Sequence, residues 1–167
     1  MIVISDTSAP SNLAIVDHLW LLEAIYQTVI IPDGVASELA AASNPIIAAI
    51  PTLGWIRTQS LTDTQLADQL QQERGLDVGE ANAVALALEL QADKLLIDEK
   101  LGRREAVRLG LPIIGILGVL LIAKQTSLIQ QVQPVMNALV NKAGFRVSPQ
   151  LCQRVLDLAQ ESDSKKN

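Results

Sequence analysis

Asp6 closes the apolar run Met1-Ile2-Val3-Ile4, and Asp98 closes Lys94-Leu95-Leu96-Ile97. Such runs read as buried parallel strands, and open α/β sheets carry their chemistry just beyond the carboxyl ends of those strands. Glu38 and Glu80 fall in the first turns of two helices expected between them. Four carboxylates gathered in one crevice repel one another and drive some of their pKa values up unless divalent cations hold them together. Ligation by oxygen alone suits Mg²⁺ or Mn²⁺. Mg²⁺ keeps several waters and binds through one or two carboxylates plus phosphate oxygens, so phosphodiester hydrolysis is the chemistry this set of residues could do. The hydroxyls of Thr7 and Ser8 stand beside Asp6, as partners for its carboxylate or for a metal-bound water and as candidate helix caps.

Each acid also has a purely structural explanation. Glu80 lies three residues after Asp77, the spacing of a capping box. Glu38 is favoured near a helix N-terminus, and Asp98 can cap the helix that follows it. What singles the four out is joint placement: two at strand ends on the same edge of a parallel sheet, two on helices that begin or pass near that edge.

The elements that must position them follow from the pattern. Thr7 or Ser8 is expected to cap a helix through Leu13, Ile15 and Val16, followed by helical Leu19 to Ile25 and a strand Thr28 to Ile31. Pro32-Asp33-Gly34 opens a short helix carrying Glu38, with another helical piece near Ile46 to Ile50. Trp55-Ile56-Arg57 reads as an edge strand. Leu61 to Glu73 reads as a polar helix with Thr62 and Gln65 in capping-box spacing, ended by Gly75. Asp77 to Leu90, rich in alanine and leucine, is expected to be an almost wholly buried helix with Asp77 as N-cap. Strand Lys94 to Ile97, helix Glu99 to Leu109, strand Pro112 to Ile114 and helix Leu117 to Lys124 follow. Helices Ile129 to Lys142, closed by Gly144, and Pro149 to Ala159, capped by Ser148, complete the chain. Strands alternating with helices predict an α/β fold around a central parallel sheet.

The 167 residues fit one domain, with a core of Leu, Ile, Val and Ala because aromatics are only 2% of the chain. The weakly polar stretch Leu109 to Ala123 is broken by Pro112, Gly115 and Gly118 and falls short of the roughly 20 residues that span a bilayer, so no membrane segment is expected. Met1 leads straight into strand-like sequence, which predicts no secretory leader. The lone Cys152 excludes an internal disulfide and suits a reducing cytoplasm. Cys152 and His18 lack a third partner for nucleophilic catalysis, and Gly115-x-x-Gly118 lacks the Lys-Ser/Thr of a phosphate loop. Net charge is −5, which argues against coating nucleic acid through general electrostatics. Its distribution is uneven. Residues 1–98 hold 3 basic and 13 acidic side chains, a balance of −10, and residues 99–167 hold 10 basic and 5 acidic, a balance of +5. Lys100, Arg103, Arg104, Arg108 and Lys124 are candidates for a basic shelf meeting RNA phosphates beside Asp98; the alternative is a solvated helix face.

Four segments together, Ile4-Ser5-Asp6-Thr7-Ser8, Ile31-Pro32-Asp33-Gly34-Val35-Ala36-Ser37-Glu38-Leu39, Leu76-Asp77-Val78-Gly79-Glu80-Ala81 and Leu96-Ile97-Asp98-Glu99-Lys100, resemble the PIN-domain ribonucleases. The branch they resemble is a PIN-like one with a Gly-Glu-Ala helix start and a Gly115-x-x-Gly118-Val119-Leu120 segment, related to VapC-type toxins. The resemblance covers residues 1–125; residues 126–161 form a helical extension of the same domain and 162–167 a flexible polar tail. It implies a three-layer PIN-like fold with extra C-terminal helices. It implies, too, a Mg²⁺- or Mn²⁺-dependent endoribonuclease, the toxin half of a toxin–antitoxin pair, with RNA as substrate and an antitoxin protein as partner. Asp6, Glu38, Glu80 and Asp98 match the four acids of the family. Position 80 is commonly Asp in the toxins, one methylene shorter, and Pro10 replaces an apolar residue. A homodimer is expected, because the alanine- and leucine-rich helices exceed what one small sheet must cover. Two other readings stand beside this one: a catalytically silent interaction module on the same fold, and a phosphohydrolase with Asp6 as nucleophile. The latter typically needs a second Asp where this chain has Ser8.

Overall fold

The computed structural model describes residues 1–162. Its strands are β1 (Val3–Ser5), β2 (Val29–Pro32), β3 (Ile56–Gln59), β4 (Lys94–Leu96) and β5 (Ile113–Ile114). All pair in parallel, in the order β3-β2-β1-β4-β5. The chain builds outward from the central β1 through β2 and β3, then returns to add β4 and β5 on the other side. The direction of winding therefore reverses between β1 and β4, and a crevice opens beyond their carboxyl ends. Ser5 is in register with Leu96, and the Asp6 N–H donates to Leu96 O at 3.1 Å, so Asp6 and Asp98 emerge side by side at that point.

The helices, in chain order, are α1 (Ser8–Ile15), α2 (Trp20–Tyr26), α3 (Asp33–Ala40), α4 (Pro45–Ala48), α5 (Gln65–Arg74), α6 (Val78–Glu89), α7 (Lys100–Arg108), α8 (Ile116–Gln125), α9 (Gln133–Lys142) and α10 (Pro149–Leu158). Strand side chains alternate between two apolar clusters, as a sheet covered on both faces requires. Val3, Ile31 and Leu96 pack with α1, α2, α3, α8, α9 and α10; Ile4, Leu95 and Ile97 pack with α5, α6 and α7. The result is the three-layer α/β architecture of a PIN-like fold. Alanines at 81, 83, 85 and 87 let α6 pack close against the sheet and α5, and eight of its twelve residues are buried.

Several local expectations change on folding. Neither Thr7 nor Ser8 caps α1 through its side chain. Asp6 Oδ1 takes the Ala9 N–H instead, and the Thr7 hydroxyl is used elsewhere. Thr62 does not start α5. Its N–H and hydroxyl bond the Glu89 carboxylate, so the helix begins three residues later, with Asp63 Oδ1 accepting from the Gln65 N–H. The helix expected from Ile129 begins at Gln133, because Pro134 suits a first turn and the Val132 and Gln133 N–H groups donate to the carboxylate of Glu161. Glu161, expected at the start of a polar end, is thus a structural anchor that also pairs with Lys124 at 2.9 Å. Gly75, in the left-handed conformation at φ +74°, ends α5 as expected, and Ser148 Oγ caps α10. Residues 163–167 of the expected tail lie outside the described residues.

Candidate active site

Asp6 is fully buried. Its Oδ1 accepts the Ala9 N–H at 3.3 Å, while its Oδ2 is buried and has no hydrogen-bond partner. Burial pushes the carboxyl well above the usual range; the Ala9 N–H works against this, and the charges of Asp98, Glu80 and Asp77 add to it. A buried acceptor left unpaired costs free energy, which a proton on the carboxyl or a bound cation would offset.

Asp98 has left its own helix. The N-cap of α7 is Glu99, and Asp98 reaches across β5 to accept the Ile116 N–H at the start of α8, at 3.1 and 3.2 Å to its two oxygens. Gly115 makes room, since a Cβ there would lie 2.5 Å from Asp98 Oδ1. The Asp98 pKa is pushed up to about 6 by burial, against the opposing pull of the Ile116 N–H and of Arg103. Arg103 Nη1 donates to Ile97 O at 2.9 Å, so its guanidinium is braced beside the strand end.

Glu80 is buried in the first turn of α6, where its N–H donates to Asp77 Oδ1 at 2.8 Å. That is one half of a capping box. The Glu80 carboxyl itself lies toward Gly102 of α7, where a Cβ would stand 3.6 Å from Glu80 Cδ. Burial first and Asp77 second raise its pKa to about 7, with Glu99 and Glu38 adding. Glu38 is exposed at its own position on α3, yet its carboxylate accepts the Thr7 hydroxyl at 2.7 Å. It also lies against the first turn of α6: a Cβ on Gly79 would fall 2.8 and 2.9 Å from its two oxygens and 2.9 Å from Thr7 Oγ1. Gly79 therefore permits the close approach of three elements.

The four acids are electrostatic neighbours rather than one tight cluster: Asp6 feels the charges of Asp98 and Glu80, and Glu80 those of Glu38, Asp77 and Glu99. Among the described residues, no three His, Cys, Asp or Glu side chains form a ready-made metal cage. The donor chemistry nevertheless fits a hard divalent cation. It is all oxygen, one buried oxygen is orphaned, and burial above all raises the pKa values of Asp6, Glu80 and Asp98, with neighbouring acids adding to it.

The basic residues separate into two groups. Lys100 and Arg103 line a cleft of about 930 Å³ that starts at Asp98 and runs between α8 and α10. Arg104 and Arg108 instead turn to the buried Glu105, where Arg108 Nε stands 2.7 Å from the carboxylate and Arg74 joins from α5. Lys124 is engaged with Glu161 and Ala159 O. Arg108 and Lys124 are thus engaged in ion pairs away from Asp98, while Arg104, largely exposed, lies outside the cleft lining. The far wall of the cleft holds two cations that were not singled out in the sequence, Arg146 and Arg154, together with Phe145. Their only sequence signal is the positive balance of the C-terminal part. Ser8 also lines this cleft, away from the Thr7–Glu38 contact.

A family model described as a PIN domain matches residues 2–161. The chain belongs to the PIN-domain family. The match runs through α9 and α10, past residue 125 where the resemblance of the individual motifs stops. PIN domains are generally nucleases that use divalent metal ions. No curated protein matches the chain. Among the described residues no helix is long and apolar enough to cross a membrane.

Proposed function

We propose that this PIN domain is a Mg²⁺- or Mn²⁺-dependent endoribonuclease. The observation that carries the reading is Asp6: a fully buried carboxylate with one oxygen unpaired, at the point where Glu80 and Asp98 raise its pKa further. Asp6, Glu80 and Asp98 would hold the cation, and Glu38 would join them from α3. A bound divalent ion supplies Lewis-acid stabilisation of the phosphoryl oxygen and a more acidic water. The chain's own residues do the rest. The Ile116 N–H fixes the orientation of Asp98, and the Arg103 guanidinium, braced on Ile97 O, adds positive charge beside it. Thr7 fixes that of Glu38. Burial of Asp6 excludes bulk water from its side of the crevice, which strengthens every charge interaction there. Lys100 and Arg103 attract the phosphate backbone of an approaching strand.

The role of toxin in a toxin–antitoxin pair is supported by the VapC-like motifs, and a homodimer by the excess of alanine- and leucine-rich helices over what one small sheet must cover. A cytoplasmic location is supported by the single free cysteine. The deciding experiment is cleavage of a pool of structured and single-stranded RNA in Mn²⁺, Mg²⁺ or EDTA, native chain against Asp6→Asn at equal folded fraction. Metal-dependent cutting lost in the variant is expected. Cutting that persists in EDTA or in Asp6→Asn would remove the carboxylate site from the reaction. Absence of cutting by the native chain in either metal would favour the non-catalytic interaction module.

A further inference from the structure

The cleft that leaves Asp98 has a construction the acidic crevice does not explain. Its floor is apolar, from Leu117 and Leu121 of α8, and its far wall is one face of α10, where Leu151, Arg154, Val155 and Leu158 follow helical spacing. Leu151 and Leu158 are exposed large apolar residues, 44% and 60% accessible, on a helix that could have hidden them. The turn between α9 and α10 is set by Gly144 at φ +67°, after which the Phe145 N–H returns to Leu139 O at 3.0 Å. That turn places Phe145, half-buried, and Arg146, exposed, at the mouth of the cleft. Lys100 and Arg103 stand on the near side, Arg146 and Arg154 on the far side. Four cations line the cleft against two carboxylates, Asp98 and Glu99, and both carboxylates lie at its near end; the far wall, with Arg146 and Arg154, is purely cationic in a chain of net charge −5 and favours a polyanion.

We propose that this cleft seats the single-stranded stretch of RNA that flanks the scissile phosphate. An unpaired base inserts between the apolar floor and Phe145, and the adjoining phosphates lie on Arg146 and Arg154. The size fits, since about 930 Å³ lies within the range of small-ligand pockets, roughly 300–1,000 Å³, which suits a splayed, unpaired nucleotide. Base-on-aromatic stacking between cationic walls is the general solution for single strands. The assignment makes α9 and α10 part of substrate recognition and confers a preference for unpaired RNA. It rests on the nuclease reading for its substrate class and is tested by binding alone.

The probe is a short fluorophore-labelled single-stranded RNA carrying one 2-aminopurine, titrated in EDTA over a salt series, with its blunt duplex as comparison. The proteins are the native chain, Arg146→Ala/Arg154→Ala and Phe145→Leu, each checked for an unchanged melting temperature. The native chain is expected to bind the single strand in preference to the duplex and to quench the 2-aminopurine. The double variant should lower the slope of log K against log salt by about 1.4, from ~0.7 per phosphate contact. Phe145→Leu keeps the apolar volume and should weaken binding by roughly 5- to 150-fold with loss of the quench. Unchanged affinity and slope in the double variant, or equal binding of duplex, would overturn the assignment. A polyglutamate peptide that displaces the RNA, and whose own binding is tighter and lost in the same double variant, would make the cleft an acidic-peptide groove and overturn it too. Failure of the nuclease reading would show separately, as RNA binding without cleavage in any metal.

Discussion

Replacing Asp98 with Asn should stabilise the metal-free protein by an amount that grows with pH. Asp98 has a pKa of about 6 in the folded chain against an ordinary 3.8. An acid whose pKa is raised on folding holds its proton longer in the native state, so stability falls as pH rises through the window between the two values. At pH 8 the shift of about two units corresponds to ~3 kcal/mol lost by ionisation in place. At pH 4.5, with the native group largely protonated, the same linkage gives ~1 kcal/mol. Asn does not titrate and its Oδ1 can still accept the Ile116 N–H, so any constant effect of the substitution cancels between the two pH values. The increment, ~2 kcal/mol, corresponds to about 4–8 °C in melting temperature for a domain of this size. The assay is a set of thermal melts in EDTA at pH 4.5 and pH 8 for the native chain and Asp98→Asn. The variant's advantage should be larger at pH 8 by that amount, and Mn²⁺ should shrink it by stabilising only the native carboxylate. A difference that is flat in pH refutes the claim that Asp98 is held ionised at a cost to the fold. The same substitution should remove RNA cleavage, which makes the acid an instance of stability given up for function.

Other consequences are equally direct. Mn²⁺ or Mg²⁺ should raise the melting temperature of the native protein more at pH 8 than at pH 5, because Asp98 and Glu80 must lose protons to bind it, and Asp6→Asn should abolish most of the rise. Gly79→Ala places a methyl against the Glu38 carboxylate and the Thr7 hydroxyl and must displace them; the gain of about 1 kcal/mol in helix propensity offsets the broken Thr7–Glu38 contact, so melts should change by no more than about 1 kcal/mol while cleavage falls at least tenfold. A variant as active as the native chain would show that Glu38 is dispensable. Glu161→Ala leaves the Val132 and Gln133 N–H groups without their acceptor and Lys124 with Ala159 O alone, and should cost about 2–3 kcal/mol by denaturant unfolding. A loss under 0.5 kcal/mol, within the ordinary range for a surface position, would mean the anchor is unimportant.

Much of the layout was legible because buried parallel strands and buried helices leave strong local marks. The apolar runs ending in Asp6 and Asp98 became β1 and β4, and Asp77 capped α6 as its position before the alanine-rich stretch predicts. Legibility failed where a polar side chain had a choice between a local and a distant partner. Thr62 looked like a cap and went to Glu89; Thr7 looked like a cap and went to Glu38; Asp98 could have capped α7 and holds α8 instead. In each case the local bond and the distant one are of similar strength, so packing decides between them.

The sequence by itself determined the types of chemistry available: which acids follow strands, which halves of the chain carry which charge, and a core without large rings. It determined those things because strand ends, caps and apolar periodicity depend on neighbours within a few residues. Only the tertiary structure decided that β1 and β4 are adjacent at the reversal of strand order, which brings Asp6 and Asp98 side by side across 92 positions of chain. It alone sorted the cations, sending Arg108 to a buried Glu105 and leaving Arg103, Arg146 and Arg154 around the cleft. Burial and charge proximity are properties of the assembled layers, and no spacing along the chain encodes which oxygen will be left without a partner.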